Sequence, residues 1–211
     1  IVACLVGSEM CIRDRQEIHA EGYTDFEIIA VAIDENIEKL RELAEGITYP
    51  VVVDADHVVT ELYAISNVPT VVLINEDDTI AMPNWSAYGS DLFSEFTGVE
   101  SGRQHDRIRR WVREGDAGMS TAEAIGVVGD LSSEEEAARL HFRLALALRD
   151  RGDQAGCDRN FDRAAELAPE DWTIRRAMMP LRGQDPFGEN FMALYADWKA
   201  NGSPYHGVRG Y

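Results

Sequence analysis

The sequence predicts an α/β domain followed by an all-helical domain, and three stretches carry that prediction. FEIIAVAID, Phe26 to Asp34, is a nearly continuous apolar run rich in isoleucine and valine, which is what a parallel strand covered on both faces requires. VPTVVLINEDDTIAMP, residues 68–83, reads as two strands around the acidic turn Glu76 to Asp78. From Asp130 to Trp172 the apolar spacing is that of two helices, with Gly152 and Asp153 making the turn between them.

The connecting elements follow in order. ENIEKLRELAEG places Ile37, Leu40 and Leu43 at helical spacing and stops at Gly46. YPVVVDAD gives a short strand, and HVVTELYAI a short helix expected to turn Val58, Leu62 and Ile65 to one side. RQHDRIRRWVREG closes the unit as a helix with Ile108, Trp111 and Val112 inward. WSAYGSDLFSEFTGV, Trp85 to Val99, lies before that helix and is a candidate contact between the two halves. After a turn at Pro186 to Gly188, the tail carries Phe191, Leu194, Tyr195 and Trp198 at helical spacing, an aromatic stripe expected to pack as core.

Composition narrows the function. A net charge of −18 repels phosphate backbones and argues against nucleic-acid binding. No uninterrupted apolar run approaches a membrane span. His19, His57, His105, His141 and His206 form no close-spaced ligand pattern, so no metal or other cofactor is expected.

The start of the chain raises a separate question. LVGSEMCIRD, Leu5 to Asp14, matches codon for codon the translation of a transposase-type sequencing adapter, ctc gtg ggc tcg gag atg tgt ata aga gac. Residues 1–15 are therefore read as a cloning or assembly scar excluded from the fold, whose removal should barely change stability, although the edge left by the missing core strand attracts any extended segment, this one included. Cys4 and Cys11 go with it, leaving Cys157. A redox cysteine sits where a strand turns into a helix, and the residues around Cys11 offer no strand before it, no second cysteine at a two-residue spacing, and no neighbouring tryptophan or proline. The compartment is left open, with the cytoplasm as the expectation, because the natural N-terminus is taken to be missing.

The order strand, helix, strand, helix, hairpin, helix, together with IIAVAIDE and YPVVVDADHVVTELYAISNVPTVVLINEDDTI, resembles the redoxin branch of thioredoxin-like proteins, close to the TlpA-like disulfide reductases. The resemblance covers residues 16–116 and implies an incomplete thioredoxin-like domain. Asn67, Val68, Pro69 and Thr70 match the family's loop before the hairpin, in which a cis proline faces the redox cysteine. Val68, Pro69 and Thr70 are the implied substrate-binding residues, with the Val68 backbone free to pair with an extended peptide. Asp34 and Glu35, at the end of the first core strand, are candidates for proton transfer or, more simply, a solvated helix cap. In this family the reactive residues lie on the turn that the adapter-like stretch replaces, so no catalytic residue is assigned and the chain is expected to be inactive.

Residues 117–211 are read as a helical extension. Leu144, Ala145, Gly152, Asp153, Phe161, Ala164 and Pro169 fall at the offsets of a tetratricopeptide-type hairpin, and Cys157 takes a small-residue packing position in it. The resemblance implies a fragment of a thiol-disulfide oxidoreductase whose partner is a protein disulfide or redox protein, with a further protein partner possible through the extension. The alternatives are a non-catalytic protein-binding adaptor and a peroxiredoxin-type peroxidase; the sequence upstream of Gln16 separates them.

Overall fold

A computed structural model describes residues 2–6, 9–33, 36–66, 68–86, 91, 100–185, 188–204 and 206–208, with backbone alone for 2–6, 9–12 and 14. The chain has mixed α/β content and divides into two compact units. One is Ile1–Ala55, Asn67–Val128 and Gly207–Tyr211; the other is Asp56–Ser66 and Gly129–His206.

The first unit is built on a five-stranded sheet: β1 (Val2–Val6), β2 (Ile28–Ala32), β3 (Val51–Val53), β4 (Thr70–Ile74) and β5 (Ile80–Ser86), in the order β3-β2-β1-β4-β5. β1 runs parallel to β2, with Val2 opposite Ile28 and Val6 opposite Ala32, and antiparallel to β4, with Leu5 opposite Thr70. The expectation that residues 1–15 stand outside the fold is thereby corrected. Between β2 and β4 the sheet needs a strand to pair both sets of backbone donors and acceptors, and the apolar VACLV segment supplies it. Helix α1 (Glu9–Ala20) follows directly.

The remaining elements of this unit form where their local signals lie. In α2 (Ile37–Leu43) the Asn36 side chain caps the helix by accepting from the Lys39 N–H at 3.0 Å. Of its three spaced apolar residues Leu40 is buried, while Ile37 remains exposed. The hairpin turn closes with the Asn75 N–H donating to the Thr79 carbonyl at 2.8 Å and Asp78 at φ 64°. Helix α4 (Ser101–Glu114) buries Gln104, Ile108 and Trp111, and α5 (Thr121–Val128) buries Ala124. The core gathers Ile18, Ile28, Ala30, Val71, Leu73, Met82, Trp85 and Ile108. Most of the Trp85 to Val99 stretch lies outside the described residues.

The second unit contains α6 (Ser133–Asp150), α7 (Gln154–Leu167), α8 (Trp172–Leu181) and α9 (Glu189–Ala200), together with α3 (Val58–Leu62). A capping box starts α6: the Ser132 side chain accepts from the Glu135 N–H, and the Glu135 carboxylate accepts from the Ser132 N–H at 2.8 Å. Gly152, at φ 78°, turns the chain, and the Asp153 side chain caps α7 through the Gly156 N–H. Ala145 and Ala164 are fully buried and let the two helices close on Phe142 and Phe161, whose rings stand 5.7 Å apart. The unit's core also holds Cys157, Ile174 and Met178.

Two readings change here. The compact division falls at 128/129 and not at 116/117: residues 117–128 belong to the sheet unit, and 56–66 to the helical one. Within α3 the apolar residues face out, Val58 being 43% and Leu62 59% exposed, while Glu61 is 4% exposed. The cause is a buried ion cluster. Arg139 donates to the Glu61 carbonyl at 3.0 Å and to the Asp171 carboxylate at 3.1 Å, and Arg143 donates to the Glu61 carboxylate at 2.7 Å. Arg149 pairs with Asp56, and Arg176 donates to the Ser66 carbonyl at 3.3 Å. Once Glu61 must meet arginines, the helix cannot also bury Val58 and Leu62. The aromatic stripe differs as well: α9 buries no residue fully, and Phe191, Tyr195 and Trp198 are half-buried around Trp172, with the Trp198 ring stacked on it at 4.9 Å.

Candidate functional site

The register of the sheet fixes which residues share each of its ends. β1 ends at Val6, opposite Ala32 of β2, and its Leu5 lies opposite Thr70, the first residue of β4. The loop that enters β4 and the start of α1 therefore belong to one end of the sheet. Val68 is half-buried, Pro69 buried and Thr70 fully buried, and the Val68-Pro69 bond is cis. Thr70 also faces Ser86 across β5. These three predicted substrate-binding residues are thus contiguous at the C-terminal end of β1, while Asp34 and Glu35, predicted to follow β2 at the same end, lie outside the described residues.

Cys11 is the third residue of α1, five positions after the end of β1. The sequence argument that no strand precedes it is overturned: VACLV is that strand. A helix's first turn stabilises an anion through its free N–H groups, so this backbone position suits a thiolate. Cys157 is different in kind. It is fully buried in the helical unit, and burial, then the neighbouring Asp158 charge, push its thiol above the ordinary range, so it stays protonated and unreactive.

Sequence reasoning missed the side chains that tie α1 to α4. Arg15, set aside with the adapter-like stretch, is fully buried and donates from Nη1 to His105 Nε2 at 3.0 Å. Burial, and secondarily the Arg15 charge, push the His105 imidazole down to about 4, so the ring is neutral at pH 7 and its Nε2 accepts. One turn further along, Arg109 makes a forked pair with Glu21, at 2.7 Å from Nη2, and its hydrogen bonds hold the Glu21 carboxyl below the usual range. Reading His105 as one of five scattered histidines gave no hint of this, because its partner is far away in sequence.

The opposite end of the sheet carries an open cleft of about 640 Å³, lined by Asp25, Phe26, Asn75, Glu76, Asp77 and Trp111. The Trp111 indole donates to Asn75 Oδ1 at 3.0 Å across its floor. Hydrogen bonds from Thr79 hold Asp77 below the ordinary carboxylate range, which keeps this rim anionic. The cleft lies away from Pro69 and belongs to no predicted site residue. Among the described residues no helix is long and apolar enough to cross a membrane. No protein-family model matches the chain, and no curated protein or solved structure is significantly similar to it.

Proposed function

We propose that this chain is a fragment of a thioredoxin-like thiol-disulfide oxidoreductase of the redoxin class, extended by a tetratricopeptide-type helical unit, and that in its present sequence it is inactive. The observation that carries the reading is the juxtaposition of Val68-Pro69-Thr70 with the end of β1 and the start of α1. In such a frame a thiolate at the head of the helix attacks one sulfur of a substrate disulfide, forming a mixed disulfide and releasing the second sulfur as a thiolate. A resolving thiol then attacks the mixed disulfide, oxidising the enzyme pair and freeing the reduced substrate. Val68 offers its backbone to the extended peptide that carries the disulfide, and Pro69 and Thr70 shape the floor beside it.

The inactivity follows from the thiols. The head of α1 carries Cys11 without a second cysteine two residues away, because the adapter-like LVGSEMCIRD occupies the turn where the family keeps its motif. Cys157, buried in the other unit, supplies no substitute. The partner of the intact frame is a protein disulfide or a redox protein. Insulin reduction with dithiothreitol tests the reading. The expected rate equals that of a Cys157→Ala control and of the reductant alone. Turnover clearly above that of the reductant alone would overturn the claim of inactivity.

A further inference from the structure

The outer edge of β5 is the end of the sheet order, and an open strand edge exposes a row of backbone donors and acceptors. Here part of that edge is covered by the end of the same chain. Val208 pairs in parallel with Trp85, its N–H donating to the Asn84 carbonyl at 3.0 Å. The Gly207 N–H donates to the carbonyl of Val127, near the end of α5, at 3.1 Å. Both residues are buried, and Val208 belongs to the same core as Trp85 and Met82.

The seat selects by size. A Cβ placed on Gly207 would collide with Asn84 Oδ1 and lie 2.9 Å from the Asn84 carbonyl oxygen. Asn84 is 2% exposed and held in a strand, so it has nowhere to move. The next residue differs: Val208, 5% exposed, puts an apolar β-branched side chain into the core that holds Trp85. Backbone pairing supplies affinity for any extended segment, and the glycine-then-valine order supplies specificity.

We propose that the β5 edge is a strand-accepting site that recognises an extended segment with glycine followed by a β-branched residue, and that the chain's own Gly207-Val208 occupies it in cis. The segment is a self-cap: while seated it occupies the edge at Asn84 and Trp85, and when displaced it opens that part of the edge to another extended peptide.

Two measurements on full-length protein test this. The Val208 amide should exchange with deuterium far more slowly in the unchanged chain than in Gly207→Ala; equally fast exchange in the two would overturn the proposal. The variant Gly207→Ala should lose that protection. A labelled peptide spanning residues 202–211 should then bind Gly207→Ala about ten-fold or more tighter than it binds the unchanged, self-capped chain. A peptide carrying the same glycine-to-alanine change should not bind either protein. Equal binding of both peptides, or equal binding to both proteins, would show that no such seat exists.

Discussion

The two units reach their cores by different routes. In the helical unit the principal pair, α6 and α7, is joined by three residues, and its buried Phe142, Ala145, Phe161 and Ala164 come from one short stretch of chain. In the α/β unit the central strand β1 pairs with residues 28–32 on one side and 70–73 on the other. A unit of the first kind is specified by signals that sit next to each other; one of the second kind depends on a segment being present at a distance. The units also use charge differently. The helical unit buries Arg139 against Glu61 and Asp171, whereas the α/β unit buries Arg15 against a neutral imidazole.

The largest expected effect breaks that comparison at the central strand. Removing residues 1–15 should abolish cooperative unfolding of the α/β unit, because β2 and β4 lose the strand between them, while leaving the helical signal of the other unit. Circular dichroism melts of the shortened and full chains measure this; an unchanged melt would show that Val2–Val6 contribute nothing. Next comes the ion cluster. Arg139→Met leaves Glu61 and Asp171 buried without their shared partner and should cost about 3 to 5 kcal/mol of stability in urea titration. Ser132→Ala removes the capping box from α6 and should cost about 0.5 to 2 kcal/mol.

The smallest effect is a pH dependence confined to the α/β unit. The folded state holds His105 down to about 4, below the ordinary imidazole value near 6.5. Between those values the unfolded chain binds more protons, so the stabilisation from a neutral His105 is fully present above about pH 6.5 and is lost as pH falls towards 4. Unfolding titrations at several pH values should give a shallower acid loss for His105→Gln than for the unchanged chain. Parallel slopes would contradict the depressed imidazole.

How much of this was legible in sequence follows the same division. The hairpin over 70–86, the buried Ile108 and Trp111, and the Gly152 turn each rest on neighbouring residues, and the structure has them where the pattern put them. The face of α3 was misread because Val58 and Leu62 look like a core stripe until Arg139 and Arg143 claim Glu61 from nearly eighty residues away. Val2–Val6 was set aside on its nucleotide-level resemblance; an unpaired edge that attracts an extended segment was legible, but not that these residues would pair on both sides as the central strand. The place of Val68, Pro69 and Thr70 at the entry to β4 was legible from the pattern before the hairpin. Arg15 and His105 were not, since neither residue type nor spacing announces a pair ninety positions apart.

The most direct test restores what the proposal says is missing. Ser8 immediately precedes α1, and Ser8→Cys would form a Cys-x-x-Cys with Cys11 at the head of that helix, where the free N–H groups favour a thiolate. The account predicts that the unchanged chain leaves insulin reduction at the background rate of dithiothreitol and that Ser8→Cys raises it clearly above that rate. It also predicts that the gain disappears in Ser8→Cys combined with Cys11→Ser. A Ser8→Cys protein that melts like the unchanged chain yet stays at background would contradict the assignment of this end of the sheet as a thiol-disulfide exchange site.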